Sequence, residues 1–386
     1  MSKKVKKRVP ELRFPEFEGD WTESTLGKVS IFYDKSRIPL SFEERQQKQG
    51  IYPYYGASGI IDYINEYIFD GVYILLAEDG ANILNRSTPI AFLAEGKFWV
   101  NNHAHVLKSR ESDSFLAEYL ENLRYESYNT GTAQPKLNAD VCKKIIVRIP
   151  KIEEQEKIAS FLGAIATRLD QLRRKHELLQ TYKRGVMQKL FCKKIRFKQD
   201  DGSPFPDWEK KKLGQLATRQ TRKNDDQSIT RVLTNSASQG IVDQKEYFNK
   251  DIANSENLAG YYILELGDYV YNPRISVSAP VGPVKKNNLG QGVMSPLYTV
   301  FRFKSRDNIF YEYFFQTSLW HKYMCSVANY GARYDRMNIS TSNFMALPLP
   351  FPTPAEQLKV VSFLNKIDKK IAALNQKINL IQRFPR

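Results

Sequence analysis

The chain has 386 residues, 58 Lys+Arg against 42 Asp+Glu for a formal net charge of +16, and 42% hydrophobic and 12% aromatic residues. A chain this long and this rich in aromatics is a folded, basic protein of two domains or more, not a disordered basic tail. No apolar run reaches the roughly 18 residues of a bilayer span, the basic start leads into Pro10 instead of a signal core, and three scattered cysteines (Cys142, Cys192, Cys325) suit neither a zinc cluster nor a disulfide framework, so the expectation is a cytoplasmic protein that seeks a polyanion.

In chain order, residues 1–10 are a basic tail attached to a first globular segment that ends near 149. Tyr67-Ile-Phe69 and Val72-Tyr-Ile-Leu-Leu76 favour strands, and a short helix is expected over 114–125. Residues 150–194 form a long helix opened by Pro150 with Glu154-Gln155 in its first turn. A second globular segment, 195–351, has strand signals at Tyr269-Val-Tyr271 and Tyr298-Thr-Val-Phe-Arg-Phe303 and an expected helix over 309–326. Residues 352–386 return to a long helix.

This order is an internal repeat, which decides architecture before any local feature does. Pro150-Lys-Ile-Glu-Glu-Gln155-Glu-Lys-Ile-Ala-Ser-Phe161-Leu162 recurs as Pro352-Thr-Pro-Ala-Glu-Gln357-Leu-Lys-Val-Val-Ser-Phe363-Leu364. Arg13-Phe14, Trp21 and Leu26-Gly27 return as Arg196-Phe197, Trp208 and Leu213-Gly214; Gly131 and Asn138 return as Gly331 and Asn338. In the first helix Ile158, Leu162, Ile165, Leu169, Leu172, His176, Leu179, Lys183, Val186 and Leu190 alternate spacings of four and three, the seam of a coiled coil. Val360, Leu364, Ile367, Ile371, Leu374, Ile378 and Ile381 repeat that phase. A narrow apolar stripe needs a partner, and the other copy supplies one, so an intramolecular antiparallel pair is expected; His176 is a polar seam residue that sets register.

Enzyme signatures are missing. No GxxxxGK[ST] phosphate loop occurs, and Asn272-Pro273-Arg274 lacks the second proline of an adenine-methyltransferase pocket and reads as a turn at a strand end. Pro206-Asp207 with Glu209-Lys210-Lys211 mimics a nuclease motif at a spacing too short for it. His103 and His105 could face one way on a strand, but no third ligand accompanies them, so no metal is expected. Polar and aromatic residues gather instead in loops between strands. In the first segment these are Tyr54, Tyr55, Ser58, Asn82, Arg86, Asn101, Asn102, His103, His105, Thr132, Gln134 and Lys136. The second contributes Asn235, Gln239, Asn272, Arg274, Ser276, Ser278, Lys285, Lys286, Arg333, Tyr334 and Arg336. Asn and Gln pair with adenine, Arg with guanine, and Ser, Thr and Lys with phosphate, which makes these the candidate DNA contacts.

Leu12-Arg-Phe-Pro-Glu-Phe-Glu-Gly-Asp-Trp21, Tyr54-Tyr-Gly-Ala-Ser-Gly59, Ala77-Glu-Asp-Gly80, Asn102-His-Ala-His105, Gly131-Thr-Ala-Gln-Pro-Lys-Leu137 and the duplicated Pro-x-x-x-Glu-Gln helix occur together in this order. Over nearly its whole length the chain thereby resembles the specificity subunit of bacterial type I restriction-modification enzymes. The resemblance implies an α+β fold with two mixed α/β target recognition domains, separated by two long helices in an antiparallel coiled coil with pseudo-twofold symmetry. It implies a non-catalytic subunit that reads a split sequence in double-stranded DNA, one half-site per domain. Two methyltransferase subunits holding S-adenosylmethionine would dock on it, with two restriction subunits using ATP and Mg; no cofactor is expected in this chain. The alternatives are a self-sufficient DNA methyltransferase or nuclease, and a nonspecific basic architectural protein.

The second helix departs from the repeat by stopping at Phe384-Pro385-Arg386, level with Tyr182-Lys183-Arg184, which leaves at least seven residues of the first copy unmatched and suggests a shortened end. Charge is also uneven: residues 11–149 carry 15 Lys+Arg against 20 Asp+Glu, so the first candidate reader is net acidic and the excess of positive charge lies in the tail, the second segment and the helices.

Overall fold

Continuous apolar runs such as Ile74-Leu-Leu-Ala77 belong to strands with both faces covered, because successive side chains point to opposite sides of a sheet. The computed structural model describes residues 9–131, 134–248, 258–329 and 335–383 and groups the chain into two units, Met1–Gln171 with Leu380–Arg386, and Leu172–Asn379. The division falls inside the first long helix (Ile152–Phe191), so the expected spacer at 150–194 contributes to both units.

In the first unit, β1 (Thr22–Thr25) pairs antiparallel with β8 (Ile146–Ile149), tying the start of the unit to its end. Between them lie β2 (Ser30–Phe32), β3 (Gln49–Gly56), β4 (Gly59–Ile64), β5 (Phe69–Ala77), β6 (Ala91–Val100) and β7 (Ala104–Ser109), in one sheet of order β2-β7-β5-β6-β3-β4. The β3–β6 pairing is parallel and the others antiparallel. Ile74 and Leu76 of β5 enter a core with Leu116 and Leu120 of the helix Asp113–Asn122, while Leu75 enters a second core with Phe69, Phe98 and Val106. One strand thus serves two cores. The expected strand at 67–69 begins only at Phe69.

The second unit is closed in the same way, by β9 (Glu209–Lys212) paired with β18 (Pro348–Phe351). It holds a four-stranded sheet of order β10 (Ala217–Gln220), β17 (Thr299–Phe303), β14 (Tyr269–Tyr271), β15 (Val284–Lys286). Two ribbons accompany it, β11 (Leu233–Ser236) with β12 (Gly240–Asp243) and β13 (Tyr262–Leu264) with β16 (Gly292–Met294). Tyr269, Tyr271, Phe301 and Phe303 line an aromatic core, where Phe303 stacks on Tyr311 at 4.6 Å, and Val270 and Val300 point to a smaller one. The helix expected over 309–326 is two helices, Ile309–Phe314 and His321–Val327. Between them Thr317 Oγ1 donates to the Phe314 carbonyl and Trp320 Nε1 to that of Phe315, which caps the first helix while Phe315 and Trp320 turn into the core.

Each long helix is anchored by one buried carboxylate. Glu154 accepts from Arg13 Nε (2.8 Å) and Nη2 (2.7 Å) and from Trp21 Nε1 (3.2 Å). Glu356 accepts from Arg196 Nε (3.1 Å) and Nη2 (2.9 Å) and from Trp208 Nε1 (2.7 Å). Around each carboxylate the neighbours also correspond: Phe14 meets Phe161 and Phe197 meets Phe363 edge to face, both at 5.6 Å, and the Gln155 and Gln357 amides donate to the carbonyls of Pro150 and Pro352. The second long helix spans Pro354–Gln382.

Seam residues Leu169, Leu172, Leu190, Val360, Leu364, Ile367, Leu374 and Ile378 are buried. Ile158, Leu162, Ile165, His176, Leu179, Ile371 and Ile381 are half-buried, while Arg174, Lys175, Lys369 and Lys370 are exposed. Within the second unit Met187, Leu190 and Phe191 share a core with Val360, Leu364 and Ile367, and Lys183 Nζ pairs with Asp368 at 2.6 Å. Among the described residues no helix is long and apolar enough to cross a membrane.

The anchors make a stability prediction. Glu356 is 0% exposed, and removing one partner of a buried ion pair typically costs about 3–5 kcal/mol. Glu356→Ala is expected to lower the urea midpoint of the second unit by an amount equivalent to ~3 kcal/mol, with Trp208→Phe costing ~1 kcal/mol for one hydrogen bond. Equal denaturation curves for wild type and Glu356→Ala would refute the anchoring role.

Candidate nucleic-acid interface

In the first unit three of the sequence-predicted loops converge. Glu78 N–H donates to the His103 carbonyl, Leu137 N–H to the Glu78 carbonyl (2.7 Å), and Gly80 N–H to the Pro135 carbonyl (3.0 Å). These bonds bring together Glu78–Asn82, Asn101–His105 and Gln134–Leu137, and they leave Asp79 and Lys136 facing each other as an antiparallel bridge. A Cβ on Gly131 would lie 1.7 Å from the Gln134 carbonyl oxygen, so the turn admits glycine alone.

A charged cluster lies beneath this junction. His105 is 0% exposed; its Nδ1 lies 2.7 Å from Asp34 Oδ2 and its Nε2 2.7 Å from the Leu137 carbonyl oxygen. Both partners are acceptors, and only an imidazolium can donate to two acceptors at once. Burial would lower the His105 pKa, but the hydrogen bond to Asp34, together with the Cys142 sulfur, pushes it up to about 10. Burial likewise works to raise the Asp34 carboxyl, yet the hydrogen bond and charge of His105, the Val106 N–H and Arg37 hold it below the ordinary carboxylate range. Arg37 Nη1 extends the cluster, donating to Glu78 Oε2 (2.7 Å) and the Ala104 carbonyl (2.8 Å). Lys136 Nζ lies 3.5 Å from Glu78 Oε1.

The second unit repeats the junction with other side chains. Met337 N–H donates to the Pro273 carbonyl (2.8 Å) and Ile275 N–H to the Asp335 carbonyl (3.0 Å), leaving Arg274 opposite Arg336. The bonds match one for one those of residues 78/137 and 80/135. Asn272 holds this loop in place: its Oδ1 accepts from Arg274 N–H (2.9 Å) and its Nδ2 donates to the Asn235 carbonyl (3.0 Å). Asn272-Pro273-Arg274 is thus a turn at the end of β14, as its sequence suggests.

The structure corrects part of the candidate set. Tyr54 is buried with its hydroxyl accepting from Leu40 N–H, and Asn235 is buried with its amide donating to the carbonyls of Val270 and Pro283. Asn101, His105 and Asn272 are buried and hydrogen-bonded internally. Asn82 braces its own loop, accepting from Thr88 N–H and donating to the Thr88 carbonyl. Arg86, at φ +54°, donates to the carbonyls of Leu123 and Glu121 and so caps the helix Asp113–Asn122. Lys285 is half-buried, and that burial lowers its pKa against the opposing effect of Glu312. Apart from Lys285 these are struts: Tyr54, Asn82, Arg86, Asn101, His105, Asn235 and Asn272 each hydrogen-bond a backbone group of the loops or of the helix beside them. Lys286 and Tyr55 are half-buried, the lysine ammonium 5.9 Å from the Tyr269 ring centroid.

Ser58, Asn102, His103, Gln134, Lys136, Gln239, Arg274, Ser276 and Ser278 are exposed, and Arg336 is half-buried. Thr132, Arg333 and Tyr334 lie outside the described residues. His103 pairs with Asp79 (2.8 Å) and His105 with Asp34, so the two histidines serve different carboxylates; among the described residues no group of three His, Cys, Asp or Glu is arranged to hold a metal. Sequence reasoning passed over Asp34 and Arg37, whose only signal is an acid and a base in the turn after β2, and quoted Glu78 in Ala77-Glu-Asp-Gly80 after β5 without giving it a role.

The chain is thus a mixed α/β protein built twice on the same anchor, with a loop junction at the corresponding place in each copy. The chain belongs to the family of the type I restriction modification DNA specificity domain, which it matches over residues 18–180 and 206–383. It is 34% identical over 151 residues to a putative type I restriction enzyme specificity subunit of Haemophilus influenzae, covering 38% of this chain and 37% of the relative. It is 27% identical over 241 residues to the MjaVIII specificity subunit of Methanocaldococcus jannaschii, covering 56% and 53%. These alignments thus span about a third to a half of the relatives' lengths. In fold the chain is similar to the S subunit of a type I restriction-modification system from M. genitalium, with a TM-score of 0.57 and 13% identity over 94% of this chain and 93% of the other.

The cationic clamp gives a pH signature. In the unfolded chain a histidine loses its proton near 6.5, whereas folded His105 keeps it to about 10. The clamp therefore contributes fully below about pH 6.5, and its contribution is lost as pH rises towards 10. In denaturant titrations the stability gap between wild type and His105→Gln is expected to shrink steadily from pH 6.5 to 10; a gap independent of pH over that range would show that His105 is neutral.

Proposed function

We propose that this chain is the DNA-reading, non-catalytic subunit of a type I restriction-modification complex in the cytoplasm. Each unit reads one half of a split sequence in double-stranded DNA. The observation that carries the proposal is the double occurrence of one design, a buried carboxylate anchor and a loop junction with matching backbone bonds. One copy would suffice for an enzyme with a single site. Two copies suit a target with two separate parts.

The long helices, in this proposal, form an intramolecular antiparallel coiled coil that sets the unread gap between half-sites. The buried seam supports this, as does the order of the helix contacts: Lys183 pairs with Asp368, and Ile381 lies beside Phe161, Ile165 and Arg168. A helix rises about 1.5 Å per residue, so its length acts as a ruler. The exposed basic residues of the helices would face phosphates of the gap or two methyltransferase subunits. Those subunits would bring S-adenosylmethionine, and two restriction subunits would bring ATP and Mg for cleavage.

Genome-wide mapping of methylated adenines in cells that carry the chain and its partner subunits tests this. A bipartite motif with a fixed gap is expected, and replacing residues 11–149 by those of a relative should change one half only. A change in both halves, or methyl transfer by the purified chain alone, would refute the proposal. On isolated duplexes, binding should exceed that to shuffled competitor by at least ~10³-fold at matched salt.

A further inference from the structure

The hydrogen-bond registers of the two junctions place residues in correspondence, one pair of which, 136 and 336, already shares the shift that relates Gly131 to Gly331. Residue 79 corresponds to 274 and residue 136 to 336, because the flanking bonds 137→78 and 80→135 become 337→273 and 275→335. In each case the facing residues form the narrow, non-hydrogen-bonded kind of antiparallel pair, in which side chains lie closest. The backbone frame is shared, and the chemistry displayed on it is not: Asp79 faces Lys136 in the first unit, and Arg274 faces Arg336 in the second.

Two arginines opposite one another repel, and a protein does not gain stability from placing them there. Nothing in the frame requires the charge, since the first unit forms the same bridge with an acid and a base. Arg274 is exposed, while Arg336 has the carboxylate of its neighbour Asp335 at 3.7 Å. The support beneath them is rigid: Asn272 fixes the Arg274 backbone and is itself tied to Asn235, whose amide grips Val270 and Pro283. A cationic fork pair on a preorganised platform is the arrangement needed for bidentate recognition of an acceptor-rich edge.

We infer that the two bridge pairs are equivalent specificity-determining positions of the two units, and that Arg274 and Arg336 take the O6/N7 edge of guanine in the half-site read by the second unit. The inference rests on the DNA-reading function proposed above. Guanine is favoured over phosphate because the pair sits at the meeting point of two loops held by an Asn-based scaffold, whereas phosphate neutralisation needs only a mobile cation. The first unit's pair offers one acceptor side chain and one ammonium where the second offers two planar guanidinium forks. Its aspartate is engaged by His103 (2.8 Å) and offers acceptors, suited to the N4 amino group of cytosine, and its lysine is one point charge.

The full chain assembled with its methyltransferase subunits allows a direct test, with the second half-site first defined by exchanging residues 195–351 for those of a relative. That half-site is expected to contain guanine on one strand or the other. Arg274→Ala and Arg336→Gln should each relax a guanine position by about ten- to a hundred-fold and leave the first half-site unchanged, with Arg274→Lys recovering part of the discrimination. In binding assays, 7-deazaguanine at the relaxed position should weaken the wild type by a similar factor and the Arg274→Ala complex hardly at all. The inference is overturned if the second half-site lacks guanine, if the variants weaken all sequences equally with a smaller salt dependence, as phosphate contacts would, or if 7-deazaguanine affects wild type and variant alike. Failure of the wild-type complex to mark any split sequence is a different result, which removes the underlying DNA-reading function itself.

Discussion

The structure of each unit depends on one carboxylate that is removed from water and satisfied by an arginine and a tryptophan far away in sequence. Glu154 is 141 residues from Arg13, and Glu356 is 160 from Arg196. A buried carboxylate without partners would be strongly unfavourable, so the helix start, the opening segment and the first-to-last strand pair form together or not at all. This coupling ties the start of each long helix to the opening segment of its unit. On the proposed DNA-reading function, in which loops must be positioned on a duplex, that rigidity has direct value.

Much of this frame is legible in the amino-acid sequence because the repeat exposes it. Arg-Phe, Trp, Leu-Gly and Pro-x-x-x-Glu-Gln occur twice in the same order, and every one of them is explained by a contact in the frame. Leu26 and Leu213, for instance, donate their N–H groups to the carbonyls of Ile145 and Leu347 just before the last strand of their units. The seam was also legible, since the spacing of four and three survives as a stripe of burial. The interruption at Phe315–Trp320 was not, because an apolar, aromatic segment reads as helix until tertiary packing pulls two of its rings into the core.

The candidate interface was legible by region and poorly legible by residue. The sequence places residues rich in Asn, His and Arg in loops between strands, but composition cannot tell that three of those loops meet, nor a side chain that reads a ligand from one that supports the loop. Asn235, Asn272, Asn101 and His105 are of the second kind, for a common reason. A loop that stands away from its sheet leaves carbonyls and N–H groups unpaired, and short amides and imidazoles supply the missing partners. The polar residues most suggestive of recognition are therefore in part the cost of building loops rigid enough for it. The bridge pairs Asp79/Lys136 and Arg274/Arg336, each with one exposed and one half-buried member, emerge as pairs only once the backbone registers of the two units are compared.

The same distinction resolves the charge of the first unit, whose segment 11–149 is net acidic although a nucleic-acid ligand calls for the opposite sign. Many of its carboxylates are engaged in holding the frame: Glu78 with Arg37, Asp62 with Arg45, Glu66 with Lys48, and Asp34 with His105. Ion pairs of this kind cancel at distances beyond about 10 Å, where salt screens what is left. In the proposed function a duplex would meet the local arrangement at the loop junction, and net charge summed over a domain says little about it. A split recognition protein can therefore carry a weakly attractive reader, provided that the second unit and the helices supply the general attraction and the first supplies discrimination. Specificity then resides in the few side chains displayed on a frame shared by both units, and the frame can be kept while those side chains change.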